Sequence, residues 1–126
     1  MASKRILLIE DEDDIREVAM LSLETVGGWQ TITAKCGPEG VAMAAAEQPD
    51  AILLDVMMPD MDGPATLQLL LSNPATHDIP VIFMTAKVQA AEKRKLSELG
   101  AKGLIAKPFD PLSLAAEISH LLGWER

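Results

Sequence analysis

The sequence predicts an α/β domain in which one parallel sheet is covered by helices on both sides. Five short apolar runs recur along the chain, and each is followed by a longer stretch with the periodicity of an amphipathic helix. The runs are residues 6–9, 31–34, 51–54, 81–84 and 103–106. Strands that alternate with helices require right-handed crossovers, which build a doubly wound parallel sheet. No linker or shift in composition divides the 126 residues, so we expect one domain over residues 1–126.

Proline residues predict where three of the helices begin. Pro38, Pro64 and Pro111 stand where a first helical residue would, so they open the second, third and fifth helices. The second helix should extend to about residue 48. Asp110 is the candidate N-cap of the fifth helix because its carboxylate can accept from the first free backbone N–H groups.

Glycine and asparagine residues predict where helices end. The first helix should end at the glycine pair at residues 27–28, the third at Asn73, and the fourth, over about residues 88–99, at Gly100. Five residues share one face of the first helix: Ile15, Val18, Ala19, Ser22 and Val26. That spacing is typical of a helix that packs against a sheet.

The composition limits the function classes. The chain has 19 acidic and 11 basic residues, which gives a formal net charge of -8. This balance argues against a nucleic-acid binder, which needs a basic surface to replace counterions, and it also disfavours an acidic membrane surface. The apolar runs are too short for a signal peptide or a membrane span. Cys36 is the single cysteine, so we expect a cytoplasmic protein in which Cys36 is a small buried residue.

Polar residues follow the predicted strands directly. In doubly wound sheets the working site lies at the carboxyl ends of the strands, near the point where the strand order reverses. The residues at those places are Glu10 and Asp11 after the first strand, Asp55 after the third, Thr85 and Ala86 after the fourth, and Lys107 after the fifth. These are the candidate functional residues.

Three of the candidates are carboxylates: Glu10, Asp11 and Asp55. If they share one small volume, their like charges raise one another's pKa unless a cation neutralises them. A divalent cation with oxygen ligands meets this need, and Mg²⁺ is the usual ion where a protein offers few ligands. Asp13 and Asp14 belong to the same acidic run, but we interpret them as caps and dipole partners of the first helix.

Lys107, Thr85 and Ala86 complete a set suited to phosphoryl transfer to a carboxylate. Alone, Lys107 is equally consistent with a solvated loop charge, and Thr85 with an ordinary strand-end hydroxyl. With Asp55 as nucleophile, the ammonium and a bound cation would offset charge on the equatorial oxygens of the transferring group. Ala86 contributes only a methyl group, which leaves its backbone N–H free to approach a phosphoryl oxygen.

Four segments carry a resemblance to a known family: ILLIEDE, AILLDVMMPDMDG, IPVIFMTA and GAKGLIAKPF. Through them the whole chain resembles the receiver domain of two-component response regulators. The resemblance implies a flavodoxin-like sheet of strand order 2-1-3-4-5 with five helices. It also implies a phosphorylation-controlled signalling switch that is not an enzyme in the ordinary sense. Because no output domain follows the fifth helix, the chain looks like the single-domain members, which act by binding a partner protein.

The resemblance assigns roles around the acceptor. Asp55 matches the acceptor of a phosphoryl group from a histidine kinase, a phosphotransfer protein or a small phosphodonor. Asp11 matches a direct Mg²⁺ ligand, Glu10 a ligand acting through water, and Met57 a ligand through its backbone carbonyl. Asp55 is itself one of the metal ligands in this arrangement.

Further roles follow from the same resemblance. Thr85 and Lys107 match the switch hydroxyl and the lysine that contacts the phosphoryl group, and the peptide bond after Lys107 should be cis. Met57 and Lys87 stand at the two positions that screen the acyl phosphate from water. Leu104 departs from the family, since an aromatic residue often stands there and its rotation reports phosphorylation.

Three other functions are less consistent with the sequence. A metal-dependent phosphatase with an aspartyl nucleophile usually has an acid two residues later, where this chain has Met57. A flavodoxin-like FMN carrier needs a donor-rich loop after the first strand, whereas the run EDEDD repels phosphate. A scaffold that no longer takes phosphate is disfavoured because every key group is present. Met57, Met58 and Met61 are interpreted as packing residues and not as a soft-metal site.

Overall fold

Five parallel strands alternate with five helices in the computed structural model, which describes residues 4–86 and 89–124. The strands are β1 (Arg5–Ile9), β2 (Gln30–Ala34), β3 (Ala51–Asp55), β4 (Val81–Thr85) and β5 (Gly103–Ala106). The helices are α1 (Asp13–Thr25), α2 (Gly37–Glu47), α3 (Gly63–Ser72), α4 (Ala90–Glu98) and α5 (Leu114–Leu122). The sheet order is β2-β1-β3-β4-β5, which confirms the predicted fold class and topology.

The sheet separates two apolar cores, because successive side chains of a strand point to opposite faces. On one face Ile6 and Leu8 of β1 pack with buried residues of α1 and α5. On the other face Leu7 and Ile9 pack with buried residues of α2, α3 and α4. All residues of β3 and β4 are buried, as expected for central strands covered on both sides. Asp55, the last residue of β3, therefore ends a strand that water does not reach.

The helix boundaries agree with the prediction to within two residues, with one exception. α5 begins at Leu114, three residues after Pro111, and its N-cap is Ser113. Asp110 instead closes the turn before the helix: its side chain accepts from the Leu112 N–H at 2.9 Å, and its carbonyl accepts from the Leu114 N–H at 3.0 Å. The prediction of Asp110 as the helix N-cap is therefore wrong. Residue 88, the predicted start of the fourth helix, lies outside the described residues.

The buried face of α1 differs from the predicted one. Ala19, Ser22 and Leu23 are the buried residues of this helix. Val18 and Val26 are about half exposed, at 46% and 50%, because the face turned to the sheet is centred on Ala19 and Leu23. Two valines of the predicted face thus lie at its margin, and Val18 is open to solvent.

The position of Cys36 differs from the prediction. Cys36 is exposed, contrary to prediction, because it precedes α2 at the outer edge of the sheet, where β2 is the edge strand.

Within residues 4–86 and 89–124, no helix combines the length and the hydropathy that a membrane crossing requires.

The β3–α3 loop folds back tightly against the end of β3. The Gly63 N–H donates to the Val56 carbonyl at 2.9 Å. A Cβ atom at Gly63 would lie 2.7 Å from the Asp55 carbonyl oxygen and 2.8 Å from the Val56 Cα atom, so only glycine fits. In the same loop Asp60 has a φ of 67°, a left-handed conformation that aspartate tolerates better than most residues.

Candidate functional site

Glu10, Asp11 and Asp55 form an acid cluster at the carboxyl end of the sheet. β1 pairs with β3 in a register that sets Ile9 opposite Leu54, so Glu10 follows at the level of Asp55. One carboxylate oxygen from each of the three residues lies within 4.8 Å of the others. Glu10 and Asp55 are buried and Asp11 is half-buried. The structure thus brings together the three carboxylates that the sequence placed at strand ends.

Lys107, which directly follows β5, contacts two residues of the acid cluster. Its Nζ donates to Glu10 Oε1 at 3.1 Å and to Asp55 Oδ1 at 3.1 Å, and its side chain is 14% exposed. The Lys107 backbone N–H donates to the Thr85 carbonyl at 2.9 Å, which fixes the start of the β5–α5 loop beside β4. Burial acts against the ammonium, but its bonds to Glu10 and Asp55 outweigh burial and raise the pKa of Lys107 above its ordinary value. The peptide bond between Lys107 and Pro108 is cis, as the resemblance implies.

The carboxyl group of Glu10 lies in an environment that disfavours its charge. Burial, together with the negative charge of Asp55, raises the pKa of the Glu10 carboxyl to about 7. The Glu12 N–H donates to Glu10 Oε2 at 3.1 Å, and this bond and Lys107 hold the pKa from rising further. Near neutral pH this carboxylate is therefore ionised at a cost, which a further cation would relieve.

Two buried oxygen atoms of the cluster are suited to a cation. Asp11 Oδ1 and Asp55 Oδ2 have no hydrogen-bond partner among the described residues. Buried polar atoms are normally paired, so these two point to a missing partner of positive charge. With all groups ionised, the three carboxylates and Lys107 sum to a net charge of about −2, which one divalent cation balances. The donor set therefore fits Mg²⁺.

The remaining candidates lie around the cluster. Thr85 is buried at the end of β4, and Ala86 follows it as an exposed residue. The Met57 N–H donates to Asp55 Oδ1 at a long 3.4 Å, while its side chain is 65% exposed. The role of the Met57 carbonyl as a ligand stays a prediction. Lys87 lies outside the described residues, and Leu104 is half-buried against the core between the sheet and α2, α3 and α4.

Arg16 is a residue beside the site that was not predicted from the sequence. This residue is in the first turns of α1, and its guanidinium donates to the Glu10 carbonyl at 2.9 Å and to the Asp13 carboxylate. Arg16 also holds the pKa of Asp13 below its ordinary range. The arginine three residues after an acid at a helix start was the available signal, but it predicts only the local ion pair. The bond to Glu10 depends on the turn between β1 and α1.

The chain matches known proteins over nearly its whole length. Residues 6–119 match the model of the response regulator receiver domain. The phosphate regulon transcriptional regulatory protein PhoB of Pseudomonas aeruginosa is 36% identical over 122 residues, which are 97% of this chain and 53% of that protein. The response regulator PleD of Caulobacter vibrioides is 40% identical over 121 residues, which are 94% of this chain and 26% of that protein.

A solved structure agrees with these sequence relatives. The chemotaxis protein CheY4 of Vibrio cholerae, crystallised at low pH, has a TM-score of 0.88 at 27% identity, and the match covers 95% of this chain and 99% of that chain. The fold and the acid cluster together define a doubly wound α/β domain with a candidate metal site at the carboxyl end of its sheet. More narrowly, the chain belongs to the receiver domain family of two-component response regulators. It spans about half the length of the first curated relatives that it matches.

Proposed function

We propose that Asp55 accepts a phosphoryl group in a Mg²⁺-dependent step, and that the phosphorylated domain then binds a partner protein. The observation that carries this proposal is the state of the Asp55 carboxylate. It is 1% exposed at the end of a central strand, with Lys107 Nζ 3.1 Å from Oδ1. Its other oxygen, Oδ2, has no hydrogen-bond partner among the described residues. A carboxylate held in this way has lone pairs available for attack.

In the proposed step a carboxylate oxygen of Asp55 attacks phosphorus in line with the leaving group. A new O–P bond forms, the bond from phosphorus to the donor breaks, and the donor atom keeps that electron pair, so that acetyl phosphate leaves as acetate and a ring-protonated phosphohistidine leaves as neutral imidazole. Glu10, Asp11 and Asp55, with the Met57 carbonyl, are the residues that would hold Mg²⁺, which supplies positive charge to the phosphoryl oxygens. Lys107 offers its ammonium to the same oxygens.

Two groups of β4 complete the proposed site. The buried Thr85 hydroxyl stands at the end of β4, next to the strand that carries Asp55. It is proposed as the switch hydroxyl, which turns toward the phosphoryl group after transfer. Ala86 is small enough for a phosphoryl oxygen to approach its backbone N–H. We propose that the protein acts as a phosphoacceptor switch in the cytoplasm and transforms only its own aspartyl group.

The surface beside Lys107 supports a protein phosphodonor. A cavity of about 210 Å³ adjoins Lys107. It is lined almost entirely by apolar surface, and its other lining residues are Asp14, Ile15, Val18, Pro108 and Phe109. The cavity is small, but it lies beside Lys107 and can take an apolar side chain of another protein. We propose that the helix bearing the donor histidine of a kinase or phosphotransfer protein packs here, with its imidazole directed at Asp55.

Intact mass spectrometry tests the proposal. The protein should gain the mass of one phosphoryl group when incubated with acetyl phosphate and Mg²⁺, and it should gain little when a chelator replaces Mg²⁺. The variant Asp55→Asn should gain none while its circular dichroism is unchanged, whereas Asp60→Asn, a matched change in the same loop, should gain as the original does. If Asp55→Asn gains phosphate at an equal rate, the nucleophile is another residue. If the original protein gains none, a scaffold role is favoured.

A further inference from the structure

Arg16 occupies an unusual position for a surface-helix arginine. It lies three residues into α1, yet its side chain is only 12% exposed, whereas the Asp13 side chain is 79% exposed. Side chains of a helix lean toward its N-terminus, and Arg16 follows this direction back to the turn that precedes α1. There Nη1 donates to the Glu10 carbonyl oxygen at 2.9 Å, and Nη2 donates to the Asp13 carboxylate.

The turn held by Arg16 carries two of the three carboxylates of the acid cluster. Residues 10–12 lie between the end of β1 and the start of α1, outside both elements. The backbone of Glu10 is fixed on two sides: its N–H donates to the Ala34 carbonyl at 3.1 Å, and its carbonyl accepts from Arg16. Glu10 is fully buried, and a buried carbonyl that loses its hydrogen-bond partner is destabilised because water does not replace that partner. The turn therefore depends on Arg16 for its shape.

The bonds of Arg16 go to a backbone carbonyl and to Asp13, and none of those described goes to a carboxylate of the cluster. A cation that touched the cluster carboxylates would compete with a bound metal ion for their oxygen atoms. Arg16 instead ties the first turn of α1 to the residue that precedes Asp11. Its planar guanidinium can serve both acceptors at once, which an ammonium does less well.

We propose that Arg16 is a positioning residue for the metal site: by holding the Glu10 carbonyl, it fixes the turn that presents Glu10 and Asp11 to the cation. The inference rests on the proposed function, because it needs Mg²⁺ to bind at the acid cluster. Some groups orient metal ligands through hydrogen bonds without contacting the ion, and their removal commonly changes metal affinity by 10–100-fold. Arg16 acts in this way through the backbone and does not contact the ion.

The sign of the change in Mg²⁺ affinity separates this role from a simple charge effect. Arg16→Gln removes a positive charge near a cation site, so an effect of charge alone predicts tighter Mg²⁺ binding. Loss of positioning predicts the reverse, a dissociation constant raised about 10-fold. A merely structural role predicts a lower melting temperature with an unchanged dissociation constant. The three interpretations thus give three different results.

The experiment measures the Mg²⁺ dissociation constant by isothermal titration calorimetry for the full chain and three variants. Arg16→Gln should weaken binding about 10-fold, and Arg16→Lys, which keeps the charge, should weaken it about 3-fold. Asp13→Asn is the matched control, because it removes the negative charge of the other acceptor and leaves the Glu10 bond, and it should stay within about 2-fold. At saturating Mg²⁺, phosphoryl uptake by Arg16→Gln should recover to near that of the original.

The outcomes are distinguishable. Unchanged or tighter Mg²⁺ binding in Arg16→Gln overturns the inference and leaves the proposed function standing. Absence of Mg²⁺ binding by the original protein overturns both. If Arg16→Gln fails to fold, Arg16→Lys decides, since binding equal to that of the original overturns the positioning role. Exchange of the Asp11 and Glu12 amide hydrogens should also be faster in Arg16→Lys than in Asp13→Asn.

Discussion

At the carboxyl end of the sheet, Glu10 and Asp55 are buried beside each other, and two carboxylate oxygens of the acid cluster lack hydrogen-bond partners in the described part of the chain. At the amino end, Trp29, which precedes β2, meets Trp124 edge-on with ring centroids 5.5 Å apart. Lys4, which precedes β1, sets its Nζ 4.6 Å from the centre of the Trp124 ring. One end gathers charges that repel, while the other gathers groups that attract.

The difference shows how stability and function are divided in this domain. Edge-to-face rings contribute about 0.5–1.5 kcal/mol beyond their burial, and an exposed cation–π contact contributes about 0.5–1 kcal/mol. The three gathered carboxylates are only partly balanced by Lys107, so their repulsion works against folding until a further cation binds. We therefore expect changes at the amino end to lower stability without affecting phosphoryl uptake. Removal of a carboxylate charge from the acid cluster should impair binding or uptake while stabilising the metal-free protein.

The largest expected effect is that of Asp11→Asn on metal binding. Loss of one carboxylate ligand should weaken Mg²⁺ binding by about 100-fold. The melting temperature in chelator should rise, because a like charge has left the cluster. Calorimetric titration and thermal unfolding measure the two effects, and Asp14→Asn, an exposed acid in α1, is the control. Unchanged Mg²⁺ affinity would remove Asp11 from the ligand set.

Trp124→Ala tests the other end of the sheet. The half-buried ring packs against the core and pairs with Trp29, so its loss should lower the free energy of unfolding by about 2 kcal/mol. Denaturant titration measures this, and Trp124→Phe should recover part of the loss. Phosphoryl uptake and Mg²⁺ affinity should stay as in the original. A change in either at full folding would mean that the two ends are coupled.

Glu10→Gln should stabilise the metal-free protein by an amount that depends on pH, because it removes a buried charge. The pKa of Glu10 is about 7 in the folded protein against an ordinary 4.5, so the folded state binds the additional proton between these values. Proton binding by Glu10 therefore stabilises the folded, metal-free protein at low pH. This stabilisation is lost as the pH rises through about 7. Because glutamine does not titrate, Glu10→Gln should gain about 2 kcal/mol more over the original at pH 8.5 than at pH 5.

Denaturant unfolding in chelator at the two pH values measures this gain. Glu12→Gln is the matched control, since Glu12 is exposed and close in sequence. A gain that is the same at both pH values, or larger at pH 5, would contradict the assignment of strain to the Glu10 charge.

The smallest expected effect concerns the lifetime of the acyl phosphate. A thioether is a poor acceptor and does not orient water, so the Met57 side chain should shield the phosphoryl group. Met57→Asn should speed phosphoryl loss several-fold, on the order of 1 kcal/mol in the barrier, without changing stability. The measurement follows intact mass after the donor is removed, with Mg²⁺ held constant. Met57→Leu keeps the apolar bulk and should lose phosphate at the original rate; equal lifetimes for all three would mean that this position does not control hydrolysis.

Much of the fold was predictable because its signals are local. Pro38 and Pro64 fall at helix starts, and the apolar runs fall on the five strands, since chain stiffness and periodicity act over a few residues. The strand order, in contrast, depends on contacts between residues that are distant in the chain. Asp55 and Lys107 are 52 residues apart in the chain, and no periodicity predicts that their side chains meet. The rule that sites lie at the carboxyl ends of parallel strands predicted that both lie at one edge of the sheet, and the strand order came from the family resemblance. The structure confirms the strand order, and it shows that the two side chains meet.

Side-chain direction was the part that the sequence could not supply. The exposure of Val18, the displaced start of α5 after Asp110 and the bond from Arg16 to Glu10 all depend on how helices sit against the sheet. A shift of one residue in the face that a helix buries turns each side chain by about 100°. Residues that act by positioning other residues, such as Arg16, are therefore the hardest to predict from sequence.

The close packing of Gly63 against the end of β3 has a consequence for how this chain can evolve. A methyl group at residue 63 meets backbone atoms of the peptide that follows Asp55, and backbone cannot rotate aside as a side chain can. In a library randomised at positions 60 and 63 and selected for phosphoryl uptake, residue 63 should return glycine alone. Residue 60, with its φ of 67°, should return asparagine and glycine as readily as aspartate. Neighbouring loop positions thus differ sharply in the sequence diversity that the same acceptor permits.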